Sequence, residues 1–188
     1  MVRVRFAPSP TGPIHIGGVR TALYNYLYKL NKKGEFVLRI EDTDYTRKVK
    51  GAEKYIYDVL DYYKIKVDEG PREGGDFGPY RQSERKTIYN KYINLLIEKG
   101  LAYYCYTSKE ELLKAREKKD FSYNSKTRMR FKNSMTLDQE ESLALIKKKK
   151  YVVRLKVEEN IELRVTDILR GNMTVNSNYL EDKILMKE

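Results

Sequence analysis

The first 63 residues alternate between short apolar runs and stretches with helical spacing. Residues 2–7, Val-Arg-Val-Arg-Phe-Ala, predict a short strand, and the apolar positions of residues 19–30 recur at the spacing of a helix. Gly34 is expected to end that helix. Residues 36–40 predict a second strand, buried on both faces like the strands of parallel sheets, and an amphipathic helix follows over 52–63. This order predicts the start of a doubly wound α/β sheet.

The composition and the predicted elements of the sequence change after residue 99. Residues 68–81 concentrate glycine and proline, which predicts a long surface loop, and a helix follows over 82–99, closed by Gly100. Beyond that helix the chain has no proline, and short β-rich pieces are mixed with basic helical pieces. The β-rich pieces are 101–106, 151–157, 162–166 and 173–175, and the helical pieces are 108–119 and 136–149. We therefore predict two domains, 1–99 and 100–188.

The charge of the chain narrows the choice of partners. Lys and Arg number 38 against 27 Asp and Glu, a net charge of +11, which favours an anionic partner such as nucleic acid. A lysine-rich composition without any partner is the alternative. The run Lys147–Lys150 is typical of a solvated helix end, with an RNA contact as the second interpretation. No apolar run approaches a membrane span and the start is unlike a signal peptide, so we expect a cytoplasmic protein without membrane contact.

The turn after the first strand has the composition of a phosphate-binding loop. Three prolines exclude a helix there, and His15, the only histidine, is followed by Ile16, Gly17 and Gly18 where the helix begins. A helix start offers unpaired N–H groups and a partial positive charge to a triphosphate, and an imidazole can donate a hydrogen bond to it. A lone histidine in a turn is equally compatible with a structural role.

Two charged residues stand near the carboxyl ends of the predicted strands, where ligands bind in such sheets. Arg5 can hold a carboxylate and Glu41 can face an ammonium group, which together would form an amino-acid cradle. The alternative is that Arg5 and Glu41 only pair with each other. Residues 41–44 also suggest a metal site, but no further ligands stand at a fitting spacing. Cys105, the single cysteine, excludes an internal disulfide and is expected to be a small buried side chain.

Four ordered blocks resemble a known family. Arg-Phe-Ala-Pro-Ser-Pro-Thr-Gly at 5–12, followed by His-Ile-Gly-Gly, is similar to the first signature block of glutamyl-tRNA synthetases, a variant of the class I HIGH motif. Leu-Arg-Ile-Glu-Asp-Thr-Asp at 38–44, Asp-Glu-Gly-Pro at 68–71 and Gly-Pro-Tyr-Arg-Gln-Ser-Glu-Arg at 78–85 resemble its later blocks. After residue 100 the similarity is looser, although Leu-Arg-Gly at 169–171 fits the end of an acceptor-binding insertion.

The resemblance implies a fold and a reaction. The fold is the first half of a Rossmann-like parallel sheet, followed by an α+β insertion that binds the tRNA acceptor. The reaction joins ATP and L-glutamate into glutamyl adenylate, with Mg²⁺ accompanying ATP, and then transfers the glutamyl group to the 3′ end of glutamate tRNA. In this family the matching positions act in catalysis at His15, Gly17 and Gly18, and bind glutamate at Arg5, Ala7, Ser9 and Glu41. The matching ATP positions are Pro8, Ser9, His15 and Gly17, and Asp44 and Arg47 are candidates for tRNA binding.

The sequence departs from the family in two ways. Many members hold zinc in the insertion, beginning with Cys-x-Cys, whereas this chain has Cys105-Tyr106-Thr107 and no Cys or His near 128–131, so zinc is not expected. The family continues beyond the position of Glu188, with a lysine-rich ATP loop and an anticodon-binding region. We therefore expect an incomplete, inactive fragment of a monomeric synthetase that retains some RNA binding.

Other proteins share part of this pattern. A short synthetase-like protein that glutamylates the modified base queuosine in aspartate tRNA shares the first block, but it typically keeps the zinc cysteines. Thr11 and the Glu-Asp-Thr-Asp block favour the true synthetase. Glutaminyl-tRNA synthetases have Pro-Pro-Glu-Pro-Asn-Gly where this chain has residues 7–12. A non-catalytic RNA-binding domain would agree with the basic insertion and leave His15 and Glu41 without a role.

Overall fold

The computed structural model describes residues 1–44, 46–47, 49–117 and 121–187. The chain divides into two compact units, Met1–Tyr89 and Asn90–Glu188. The division falls inside the helix predicted over 82–99 rather than at its end near residue 99. The assignment of the two parts to half of a catalytic domain and to an insertion stays a prediction.

The first unit is built around a strand–helix–strand motif. Its elements are β1 (Arg3–Phe6), α1 (Ile16–Lys32), β2 (Glu35–Leu38) and α2 (Ala52–Tyr62). The strands β1 and β2 pair in parallel, from Arg3 opposite Glu35 to Phe6 opposite Leu38. A parallel pair needs a crossover connection, which α1 provides. This arrangement confirms the α/β fold class.

One face of the small sheet forms the core of this unit. Phe36, Leu38 and Ile40 are fully buried, and they pack with Phe6 and with residues of both helices. The prediction that the second strand is buried on both faces is wrong, because Glu35 and Val37 on its other face are only half-buried. Charged side chains line that second face, and charges are excluded from a dry core unless they are paired.

The residue that caps the end of α1 is not the one that the sequence predicted. Lys33, not Gly34, takes the left-handed conformation, with φ 50°, and its N–H bonds the carbonyl of Leu30. Gly34 serves a different purpose, since a Cβ there would lie 2.2 Å from the carbonyl oxygen of Val2. Glycine at this position therefore allows the chain to pass close to the start of β1.

The glycine-rich segment 68–81 has no helix or strand, which confirms the predicted loop, but parts of it are buried. Glu69 and Tyr80 lie in the interior, and the Tyr80 hydroxyl donates a hydrogen bond to the Glu69 carboxylate. Burial and this hydrogen bond raise the pKa of Tyr80 above its ordinary value. A 3₁₀ turn (Gln82–Arg85) and α3 (Lys86–Glu98) follow, and Gly100 has φ 66° as expected after a helix end.

The described residues of the second unit form two sheets. Strands β3 (Ala102–Cys105), β4 (Val152–Leu155) and β7 (Ile184–Lys187) form an antiparallel sheet in the order β3–β4–β7, and β5 (Glu162–Asp167) pairs with β6 (Gly171–Asn176) as a hairpin. Its helices among the described residues are most of α3, α4 (Lys109–Arg116) and α5 (Gln139–Lys147). All the predicted pieces appear, and β7 was missed. The predicted helix over 108–119 extends into residues outside the described part of the chain.

A buried carboxylate ties the second unit together. Asp182 is fully buried and accepts hydrogen bonds from Tyr103 Oη at 2.7 Å, from Arg128 Nη1 at 3.0 Å and from the N–H of Val157 at 3.1 Å. Arg154 donates to the carbonyl of Asp182 at 2.7 Å. Burial and the hydrogen bond to Asp182 raise the pKa of the Tyr103 hydroxyl. Asp182 thus joins β3, through Tyr103, and β4, through Arg154, to the segment before β7.

Cys105 is buried, as predicted. Its Sγ lies 3.3 Å from the hydroxyl of Tyr123 and 3.6 Å from that of Thr107. Burial and this contact with the thiol raise the pKa of Tyr123. None of the helices in the described residues is long and apolar enough to cross a membrane.

Candidate functional site

His15 caps the first helix with its own side chain. Its Nδ1 accepts a hydrogen bond from the N–H of Gly17 at 3.1 Å, and its carbonyl accepts one from Gly18 at 2.7 Å. The N–H groups of these two glycines are therefore not unpaired, contrary to the expectation from sequence. Because Nδ1 is the acceptor, the proton of the neutral imidazole lies on Nε2. The exposed His15 thus has one N–H donor that can face a ligand.

The glycines around His15 allow close packing of the turn. A Cβ on Gly18 would lie 2.9 Å from Cγ2 of Ile14, and one on Gly17 would lie 3.3 Å from Nδ1 of His15. Gly12 has φ 133°, a conformation that side chains other than glycine rarely adopt. Glycine is therefore favoured at position 12 by the backbone conformation and at position 18 by the lack of space for a Cβ.

Backbone hydrogen bonds fix the proline-rich loop beside the segment that follows β2. The N–H of Arg39 bonds the carbonyl of Phe6, and the N–H of Glu41 bonds the carbonyl of Pro8, both at 3.0 Å. Further along, Val49 N–H bonds the carbonyl of Pro10 at 3.1 Å. The structure therefore brings Glu41 next to the loop that carries Ala7, Pro8 and Ser9, as the two strand ends predicted.

The second face of the sheet is a row of alternating charges. Arg3 pairs with Glu35 at 3.1 Å, and Arg39 Nη2 pairs with Glu41 Oε1 at 3.0 Å. Arg5 is exposed, and none of the described residues gives it a hydrogen bond or an ion pair. The alternative in which Arg5 and Glu41 pair with each other is therefore wrong, since Glu41 pairs with Arg39. Arg5 remains as a cation that can accept an anionic ligand.

The residues after Glu41 are held by a contact that the sequence did not indicate. Asp42 is buried and accepts hydrogen bonds from the N–H of Ser83 at 2.9 Å and from its hydroxyl at 2.8 Å. The side chains of Thr43 and Gln82 also bond each other, at 3.1 Å. The block at 78–85 therefore supports the block at 38–44. Among the described residues, no three His, Cys, Asp or Glu side chains cluster as metal ligands would.

The two candidates for tRNA binding form a local pair. Arg47 Nη2 lies 2.6 Å from Asp44 Oδ2, and the Thr46 hydroxyl bonds Asp44 Oδ1 at 2.7 Å. The hydrogen bonds from Thr46 and Arg47 hold the pKa of Asp44 below its ordinary value. The Arg47 side chain is 71% exposed, so its guanidinium can reach a second anion as well.

Comparison with known proteins defines the class of the chain. Residues 1–188 match the family described as tRNA synthetases class I (E and Q), catalytic domain. Because this match covers the whole sequence, the chain belongs to that family. The resemblance drawn from the four sequence blocks is confirmed.

Individual relatives carry a more specific name. A glutamate–tRNA ligase from Parabacteroides distasonis is 52% identical over 188 residues, which are 99% of this chain and 37% of that protein. The crystal structure of a glutamate-tRNA synthetase from Elizabethkingia anophelis has a TM-score of 0.90 at 47% identity, covering 99% of this chain and 39% of that one. That of a glutamate tRNA ligase from Elizabethkingia meningosepticum, in complex with its amino acid, has a TM-score of 0.89 at 47% identity, covering 99% and 38%. The chain spans about 37% of the length of the curated relatives it matches.

Proposed function

We propose that the protein carrying this chain ligates L-glutamate to the 3′ end of glutamate tRNA through glutamyl adenylate, with ATP and Mg²⁺. The observation that carries this proposal is the charged sheet face. Arg5 stands there as an exposed cation that the described residues leave without a partner, and the loop after β1 is bonded to Glu41 through the Pro8 carbonyl. A free cation and a carboxylate on two segments joined in this way fit a ligand with both signs of charge, as an amino acid has.

Arg5 and Glu41 have separate roles in this proposal. The planar guanidinium of Arg5 binds a carboxylate of glutamate, and Glu41 Oε2, which has no hydrogen bond among the described residues, binds the α-ammonium group. Ala7 and Ser9 line the pocket from the loop whose Pro8 carbonyl is bonded to Glu41. Glutamine carries the same ammonium group and one carboxylate fewer, so the carboxylate contact is the part that discriminates.

His15 contacts the phosphates of ATP in this proposal. Its Nε2–H donates to a phosphate oxygen, while the bond from Gly17 to Nδ1 fixes the tautomer and aims the ring. Pro8, Ser9 and Gly17 complete the ATP contacts, and Gly18 keeps the turn compact. A donor placed where negative charge develops on the transferring phosphate stabilises the transition state.

The excess of positive charge fits a tRNA partner. A net charge of +11 favours contacts with a phosphate backbone, and Asp44 and Arg47 are proposed to lie near the tRNA end. We propose that the second unit binds the acceptor arm. Binding of tRNA to the 188-residue chain should then weaken as salt rises, since each phosphate contact releases counterions.

Charging of tRNA tests the proposal. The protein that carries this chain should attach radiolabelled glutamate to glutamate tRNA and should prefer it strongly over glutamine. His15→Asn separates the two roles of the histidine, because asparagine is a good helix cap but lacks a donor at the Nε2 position. We expect this variant to fold normally and to lose about 10²–10³ in the rate of glutamate activation. Equal use of glutamine, or no charging with glutamate, would overturn the proposal.

A further inference from the structure

Arg39 stands beside the proposed amino-acid site without belonging to the residues assigned to it. Its Nη2 lies 3.0 Å from Oε1 of Glu41, two positions further along the segment that follows β2. The Arg39 side chain is 20% exposed and the Glu41 side chain 34%. The arginine is thus the more enclosed member of the pair, and the carboxylate is the member that faces outward.

The backbones of both residues are held in place. The N–H of Arg39 bonds the carbonyl of Phe6, and that of Glu41 bonds the carbonyl of Pro8. The backbone hydrogen bond does not restrict the Glu41 side chain, which has three rotatable bonds. Ordering such a side chain when a ligand binds costs free energy, and a contact that orders it beforehand removes that cost.

The way in which Arg39 uses its donors points to the same role. Its Nε is buried and has no hydrogen-bond partner among the described residues, while Nη2 is directed at Glu41. Arg85 and Arg154 also have a buried Nε without a partner among the described residues, so the feature specific to Arg39 is the hydrogen bond from its Nη2 to Oε1 of Glu41. The contact with one oxygen of Glu41 leaves the other oxygen available.

We infer that Arg39 is a positioning residue for the amino-acid site, holding the Glu41 carboxylate by one oxygen so that the other meets the ammonium group of the substrate. This inference rests on the proposed function. Because Arg39 acts through Glu41, its loss should affect only ligands that carry the ammonium group.

Arg39→Gln tests this role in the protein that carries the chain. It should raise the KM for glutamate about tenfold, the size of one charge-assisted hydrogen bond, with a small change in kcat and none in the KM for ATP. Arg39→Lys should recover part of the loss. Glu41→Gln should raise the KM for glutamate by about tenfold to a hundredfold, and the double variant should be no worse than Glu41→Gln alone.

Glutarate, which has both carboxylates of glutamate and no ammonium group, separates positioning from direct contact. Its inhibition constant should be the same in the unchanged protein and in Arg39→Gln. Weaker glutarate inhibition in the variant would mean that Arg39 itself touches a substrate carboxylate, and would overturn the inference. A rise in the KM for ATP equal to that for glutamate would overturn it as a general loss of structure.

Controls separate this inference from the proposed function. Arg164→Gln removes another arginine–glutamate pair of the same strand spacing, to Glu162 at 3.0 Å, and should leave the KM for glutamate unchanged. If Glu41→Gln raises that KM and Arg39→Gln does not, the inference fails and the amino-acid site stands. If Glu41→Gln has no effect either, the assignment of Glu41 fails, and the inference with it.

Discussion

Arg128 in the second unit and Arg5 in the first unit have opposite environments. In the second unit, Arg128 and Asp182 are sealed from solvent, and Asp182 has further donors in Tyr103 and in the backbone of Val157. In the first unit, Arg5 is exposed on the charged face of the sheet, and none of the described residues pairs with it. We call the buried pair of Arg128 and Asp182 the closed arrangement, and the exposed Arg5 without a partner the open one.

The difference separates structure from function. A buried charge must be paired and hydrogen-bonded, so the closed arrangement has every donor that its carboxylate needs within the fold. An exposed arginine on a face of paired charges costs little and stays available for a ligand. The closed pair should therefore matter for stability, and the open cation for binding.

The largest loss of stability is expected when the buried pair of Arg128 and Asp182 is broken. Asp182→Ala leaves Arg128 buried without its counter-ion and removes the acceptor for Tyr103, so unfolding should become easier by about 3–5 kcal/mol. Urea unfolding followed by circular dichroism measures this. Asp61→Ala, at an exposed aspartate on α2, is the control and should stay within about 0.5 kcal/mol of the unchanged chain. Equal stability of the two variants would contradict the distinction.

A smaller loss of stability is expected when a buried contact of the first unit, between Asp42 and Ser83, is weakened. Asp42 is buried next to Glu41 and accepts two hydrogen bonds from Ser83. Ser83→Ala removes the hydroxyl donor and keeps the backbone one, so it should cost about 1–2 kcal/mol of stability. The same urea measurement applies. No loss of stability would mean that Asp42 is held by its other contacts.

Treatment that removes metal ions is expected to leave the stability of the chain unchanged. The thiol of Cys105 is buried against Tyr123 and Thr107, and one thiolate cannot build a tetrahedral zinc site. Treatment with a strong chelator should leave the melting temperature unchanged, and elemental analysis should find no zinc. One tightly held equivalent of zinc would refute this expectation.

Local signals in the sequence predicted most of the fold. Helical spacing and the positions of proline and glycine located α1, α2, the loop at 68–81 and the helix before Gly100. Strand β7 was missed because its identity as a strand depends on pairing with β4, which is distant along the chain. Burial of β2 on one face only was missed for the same reason, since it depends on the ion pair between Arg3 on β1 and Glu35 on β2.

The candidate site was predicted in part. The motif blocks indicated Arg5, His15 and Glu41, and the structure brings Glu41 beside the loop that follows Arg5. The contacts that organise the site were not predictable, because the bond from Ser83 to Asp42 joins residues far apart in sequence. The pairing of Arg39 with Glu41 depends on which rotamers the folded backbone after β2 permits.

Arg5→Gln gives the most direct test of the central claim that an open arginine serves binding and a closed one serves stability. The measurement is the KM for glutamate in tRNA charging, taken together with the free energy of unfolding of the same variant. We expect the KM to rise by about tenfold to a hundredfold, as for a lost charge-assisted contact, while the stability changes by less than about 0.5 kcal/mol. An unchanged KM, or a loss of stability comparable to that of Asp182→Ala, would contradict the claim.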